Sequence, residues 1–210
     1  MDFVLPIVLG FVLAAAGISL PGLLNITAAK ISLNEGRQRA VIFALGATSI
    51  IFIQTYIAVS FAKFINSRPD IIYLLQEMGL GIFAVLTVYF LFIAKKPKPK
   101  TDGITADVRS KKSKFFLGVL LSALNFFPIP YYVFMSVTLS RNHYFFFTPL
   151  FIFLFVMGAV IGSFTIFYLY IISFKRFEHK ATFFLKNINY FMGSITGIVA
   201  LITLIRMMRS

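Results

Sequence analysis

Residues 18–30 read ISLPGLLNITAAK and interrupt an apolar run that begins at Phe3. Pro21 removes a backbone donor, Gly22 loosens a helix, and Asn25 brings a carboxamide that hydrocarbon cannot satisfy. Such a cluster is either a tolerated kink or a site. Length sharpens the question. A straight helix running from Phe3 to Leu33 would overshoot a hydrocarbon core of about 30 Å by more than about 10 Å. A break at Pro21-Gly22 lets the chain turn. The piece that follows, carrying Asn25, Thr27, Lys30 and Asn34, is then a half-helix lining a cavity or a helix lying in the interface.

The surrounding chain is of the same character. Over 210 residues it is 59% hydrophobic, 17% aromatic and only 13% charged, too little charge to cover a soluble domain of that size. Apolar runs long enough to cross a bilayer recur, and in lipid the backbone must satisfy itself within the segment. The sequence therefore predicts an all-α polytopic membrane protein with six transmembrane helices, near 3–24, 39–64, 71–94, 115–140, 146–174 and 187–207. The polar stretch 95–114 is too short for a soluble domain.

The net charge of +13 is explained by its placement. Alternate loops of a six-span chain face the same side, and one side receives fifteen of the twenty Lys and Arg residues. Eight of them, from Lys95 to Lys114, lie in the central loop. Basic short loops stay cytoplasmic, so both termini are expected outside and the 95–114 loop inside. The expected partners of these cations are anionic membrane lipids and not nucleic acid. The start of the chain imitates an export signal through Ala14 and Ala16, but Asp2 and the lack of an early cation read against cleavage.

The chain also repeats itself. FALGATSIIFIQTYIAVSFAKF, with Gly46, aligns with FVMGAVIGSFTIFYLYIISFKRF, with Gly158. MGLGIFAVLTVYFLF from Met78 aligns with MGSITGIVALITLIR from Met192, and LPGLLN around Pro21 matches LNFFPIP around Pro128. The division is 1–94 for a first three-helix repeat, 95–114 for a basic linker and 115–210 for a second repeat. An odd number of spans per copy makes the second copy inverted, as in many secondary transporters. Breakers at matching positions of two halves point to a substrate site; two ordinary proline kinks are the other reading.

SLPGLLNITAAKISLNEGRQRAVIFALGAT, with Pro21, Gly22, Asn25, Gly36 and Gly46, resembles the LysE/RhtB family of amino-acid exporters. So does LNFFPIP, with Asn125, Pro128 and Pro130. Leu23 stands where that family has a second proline, and two Phe residues separate Asn125 from Pro128. The resemblance implies a divergent branch with a transporter fold and an amino-acid or related zwitterionic substrate.

The remaining candidates are few. Gln54, in mid-span beside Thr48, Ser49, Thr55 and Tyr56, either bonds a neighbouring helix or lines a polar path, and Ser163, Thr165 and Tyr168 form the corresponding cluster. Glu77 is either a membrane-embedded group for proton coupling or a wet residue before its helix. Gly158, Gly162, Gly193 and Gly197 permit close helix approach within the bundle. There is no cysteine, and His143 and His179 lack partners at ligand spacing. No Ser-His-Asp set, phosphate loop or carboxylate pair occurs, so neither an enzyme nor a cofactor or metal is expected.

The expectation is a secondary exporter of small metabolites. Its substrate-binding residues would be Pro21, Gly22, Asn25, Asn125, Pro128, Pro130 and Gln54, with Glu77 as the proton-coupling candidate. A relative carrying an inorganic ion, or a non-transporting scaffold whose basic loop binds a partner, are the rival readings. Oligomeric state is left open.

Overall fold

Each expected breaker region ends one helix and starts another. The computed structural model describes residues 3–20, 22–68, 80–81, 84–85, 87–94 and 110–209. In order, they form α1 (Val4–Ile18), α2 (Leu23–Glu35), α3 (Arg37–Asn66), a π-helical turn (Tyr89–Ile93), α4 (Lys111–Ala123), α5 (Pro128–Arg141), α6 (Pro149–Lys186) and α7 (Ile188–Arg209). No strand occurs among the described residues. The axes of α1 and α2 diverge by 80°, and those of α4 and α5 by 59°. Pro128 starts α5, where its missing N–H costs nothing because a first-turn donor has no intrahelical acceptor.

Among the described residues, two helices are long and apolar enough to cross a bilayer, Arg37–Asn66 and Pro149–Ser173, and each bent pair qualifies as one further span. Half of the expected span at 71–94 lies outside the described residues, and so do Pro21, Glu77 and residues 95–109 of the basic linker. Two boundaries differ from expectation. Residues 111–114 of that linker already form the first turn of α4, whose N-cap Ser110 accepts from the Ser113 amide at 3.4 Å. The loop expected after 174 is helical as far as Lys186, because residues 175–186 contain neither Gly nor Pro to stop the helix.

The chain divides into two compact units. One comprises Met1–Phe64 and Asp102–Glu178, the other Ile65–Thr101 and His179–Ser210, so both sequence halves contribute to each. In the larger unit, one apolar cluster gathers Leu24, Ala28, Phe43, Ala47, Ile51 and Phe167. A second gathers Ala14, Val59, Tyr132, Phe145, Phe155 and Val156.

Glycines set how closely these helices approach. A Cβ at Gly10 of α1 would lie 2.0 Å from the Phe155 carbonyl oxygen of α6, and one at Gly158 of α6 would lie 2.1 Å from that of Ile7. The same reciprocal contact joins α3 to α4: Gly118 meets the Phe43 carbonyl at 2.1 Å and Gly46 meets that of Phe115 at 2.1 Å. In the smaller unit, Gly193 of α7 faces Leu91 of the π-helical turn, where an added Cβ would sit 2.5 Å from the leucine Cδ2.

Gly36 joins α2 directly to α3. Its φ of 95° and ψ of 156° fall in a region open essentially to glycine alone. Nothing lies within 4 Å of the place its Cβ would take, so conformation and not crowding requires glycine there.

Candidate functional site

A helix that stops inside a membrane protein frees carbonyls that need donors. At the first break the protein supplies them itself. Asn25, 1% exposed, donates from Nδ2 to the carbonyls of Ile18 at 2.6 Å and Leu20 at 2.9 Å. The Tyr170 hydroxyl of α6 donates to the intervening Ser19 carbonyl at 2.8 Å and neighbours the Asn25 side chain. Gly22 is extended and caps α2, with its carbonyl accepting from the Ile26 amide at 3.0 Å.

The second break is closed from another helix. Gln54 of α3 donates from Nε2 to the carbonyls of Ser122 at 3.2 Å and Asn125 at 3.0 Å. Gln54 therefore bonds across to a neighbouring segment, and it does so at the break. Asn125 is half-buried and accepts at Oδ1 from the Phe127 amide at 3.4 Å, a local turn contact. Pro128 is buried and Pro130 is exposed. The structure thus brings Gln54 and Asn125 together, while the Asn25 amide bonds within its own break.

The carboxamides of Asn25 and Gln54 spend their nitrogens on carbonyls, which leaves their oxygens over. Asn25 Oδ1 and Gln54 Oε1 are buried without a hydrogen-bond partner, as are the hydroxyls of Thr55, Ser122, Ser136 and Ser163. The Thr55 and Ser163 hydroxyls flank that of Tyr132 on α5 without reaching ordinary hydrogen-bond geometry. A buried polar atom without a partner is costly, about 1–3 kcal/mol, so each of these calls for a reason other than stability. Tyr132, Ser122 and Ser136 escaped the sequence reading. Their one signal was the helical spacing of Tyr132 and Ser136, and hydroxyls at that spacing are common in membrane helices.

No group of His, Cys, Asp or Glu suited to a metal occurs among the described residues. All of these oxygens could accept from an ammonium and the hydroxyls among them could also donate to a carboxylate, but none holds a charge of its own.

The family model for LysE type translocators matches residues 15–207, nearly the whole chain. The chain belongs to the LysE type translocator family. No curated protein and no solved structure matches it. Membership makes the chain an integral, polytopic membrane protein of a transporter family, in keeping with its helices. The two bent pairs of this translocator, with their closed carbonyls and leftover oxygens, are consequently features of a transporter's interior.

Proposed function

We propose that this translocator exports amino acids or related zwitterions across a bacterial inner membrane. It would do so as a secondary transporter of six spans arranged as two inverted three-helix repeats. The observation that carries the repeat is the reciprocal glycine contact. Gly118 follows Gly10 by 108 residues, and Phe155 and Ala159 follow Phe43 and Ala47 by 112. In each case the first helix of one half packs by glycine on the long helix of the other half, with a bent pair beside it. Transporters built this way hold substrate near the broken helices. Pro21, Gly22 and Asn25 would line the site with Asn125, Pro128, Pro130 and Gln54, and Glu77 remains the candidate for proton coupling.

The two asparagines separate transport from folding. Asn25→Ala strips two carbonyls of their donor and is expected to cost about 2 kcal/mol of stability. Asn125→Ala loses only a weak turn contact and is expected to cost less than about 1 kcal/mol. In proteoliposomes loaded with amino acids, Asn125→Ala should nevertheless abolish efflux per folded molecule. Efflux at the unsubstituted rate from stable Asn125→Ala protein would remove it from the site.

The orientation is tested separately. Cysteines placed at positions 102 and 210 are exposed in turn to an impermeant thiol reagent in intact cells. Labelling is expected at 210 and absent at 102, and the opposite pattern reverses the topology.

A further inference from the structure

The end of α2 and the first turn of α4 meet where the Glu35 carboxylate binds Lys114 Nζ, and the corner so formed is strongly positive. Arg37 and Arg39 follow Glu35 by two and four residues, and Arg39 meets it at 3.4 Å. Lys111 and Lys112 lie within one turn of Lys114 in α4. Glu35 is the one carboxylate in residues 3–68 and 110–177, and it is taken up by buried Lys114 and by Arg39. Five cations thus stand around one anion. Arg37, Lys111 and Lys112 are exposed. Arg37 lies over the Tyr168 ring at 4.7 Å, a contact that holds a guanidinium without cancelling its charge. The adjoining residues 95–109 add five cations against two carboxylates. At a screening length of about 8–10 Å, charges within a turn or so of one another act together whatever their exact directions.

An apolar row leads away from this corner. Phe116 and Leu120 of α4 and Leu124 at its C-cap follow Lys112 at intervals of four, the spacing of a ridge along a helix. They are 66%, 55% and 63% exposed, so the row faces lipid and not a neighbouring helix. From Lys112 to Leu124 it runs about 18 Å at 1.5 Å per residue, close to the depth of one leaflet in a hydrocarbon core of about 30 Å.

We infer that this corner seats the headgroup of an anionic phospholipid, with an acyl chain laid along Phe116, Leu120 and Leu124. The cations answer the phosphate, and the row answers the chain that hangs from it. A nucleic acid or an acidic peptide would match the charge but has no use for an exposed apolar ridge leading into the bilayer. The site is separate from the two breaks, and it does not depend on what the translocator carries.

The chain contains no tryptophan, so a single introduced indole reports on the lipid beside it. Phe116→Trp places one on the row. Ile53→Trp places one at a half-exposed, lipid-facing position of α3, about 24 Å along that helix from Arg37. In bilayers mixing phosphatidylglycerol with phosphatidylcholine, one or the other brominated in its chains, quenching reads which lipid touches the indole. Phosphatidylglycerol is expected to be preferred about ten-fold at position 116, from two or more added cation contacts, and to show no preference at position 53. Adding Lys111→Gln and Lys112→Gln to Phe116→Trp should reduce the preference to about two-fold or less. Adding Arg141→Gln, which removes an exposed cation at the far end of α5, should leave it intact.

No preference at position 116, or an equal one at position 53, overturns the assignment. A preference that survives loss of both lysines, or that falls equally with Arg141→Gln, overturns it as well. So does its disappearance on adding inorganic phosphate at constant ionic strength, which would make the corner a seat for a soluble anion. The measurement needs no transported molecule, so its outcome and that of the efflux assay are independent.

Discussion

Glu35→Gln is expected to lower the unfolding free energy by about 3–5 kcal/mol, the cost of stranding a buried charge. Glu35 ends α2, and its side chain is only 5% exposed. One carboxylate oxygen binds Lys114 Nζ of α4, itself 5% exposed, and the other meets Arg39 at 3.4 Å. Removing the carboxylate leaves two cations facing an uncharged amide. Lys114→Met should cost less, since Arg39 still partners Glu35. The double variant Glu35→Leu/Lys114→Met should recover much of the loss, because replacing both partners by apolar residues removes the desolvation penalty along with the attraction. Urea unfolding in mild detergent micelles, followed by circular dichroism, measures all three. Equal losses in the single and double variants would mean that packing, and not charge, dominates at this contact.

Gly158→Ala is expected to cost about 2–3 kcal/mol, at the upper end for overpacking. The obstacle is the Ile7 carbonyl, 2.1 Å from the added carbon. A backbone carbonyl cannot rotate away as a side-chain tip can, so α1 and α6 must separate. Gly10→Ala meets the Phe155 carbonyl in the same interface. The double variant should therefore cost clearly less than the sum, since the first substitution has already parted the helices. Gly46→Ala and Gly118→Ala at the α3–α4 contact should behave as a matched pair. If the repeat is real, the two pairs differ by less than about 1 kcal/mol in the same unfolding assay. Additive losses, or a large effect at one contact and none at the other, would break the equivalence.

What could be read from the sequence was local. Pro128 and the Pro21-Gly22 cluster announced interruptions because a missing N–H or a missing Cβ acts on the chain within a turn of itself. The long apolar runs announced helices, because lipid leaves the backbone no other partner. Repeat spacing and the family motif located the breaks in corresponding places. The exact ends were less legible. Residues 175–186 carry the charge of a loop, yet nothing in them stops a helix.

The tertiary structure decided which groups meet. Gln54 reaches a carbonyl 68 residues away, Lys114 reaches Glu35 across 79, and Tyr170 reaches Ser19 across 151. No local rule links such residues. The sequence showed that two breaks free backbone carbonyls, but only the packing of α3 and α6 against those breaks showed that Gln54 and Tyr170 take part in filling them. The same packing leaves the Gln54 oxygen and the Thr55 and Ser163 hydroxyls buried without partners. Whether a polar side chain in a membrane helix is spent or spare depends on what stands opposite it, and that is fixed by the approach of helices distant in the chain.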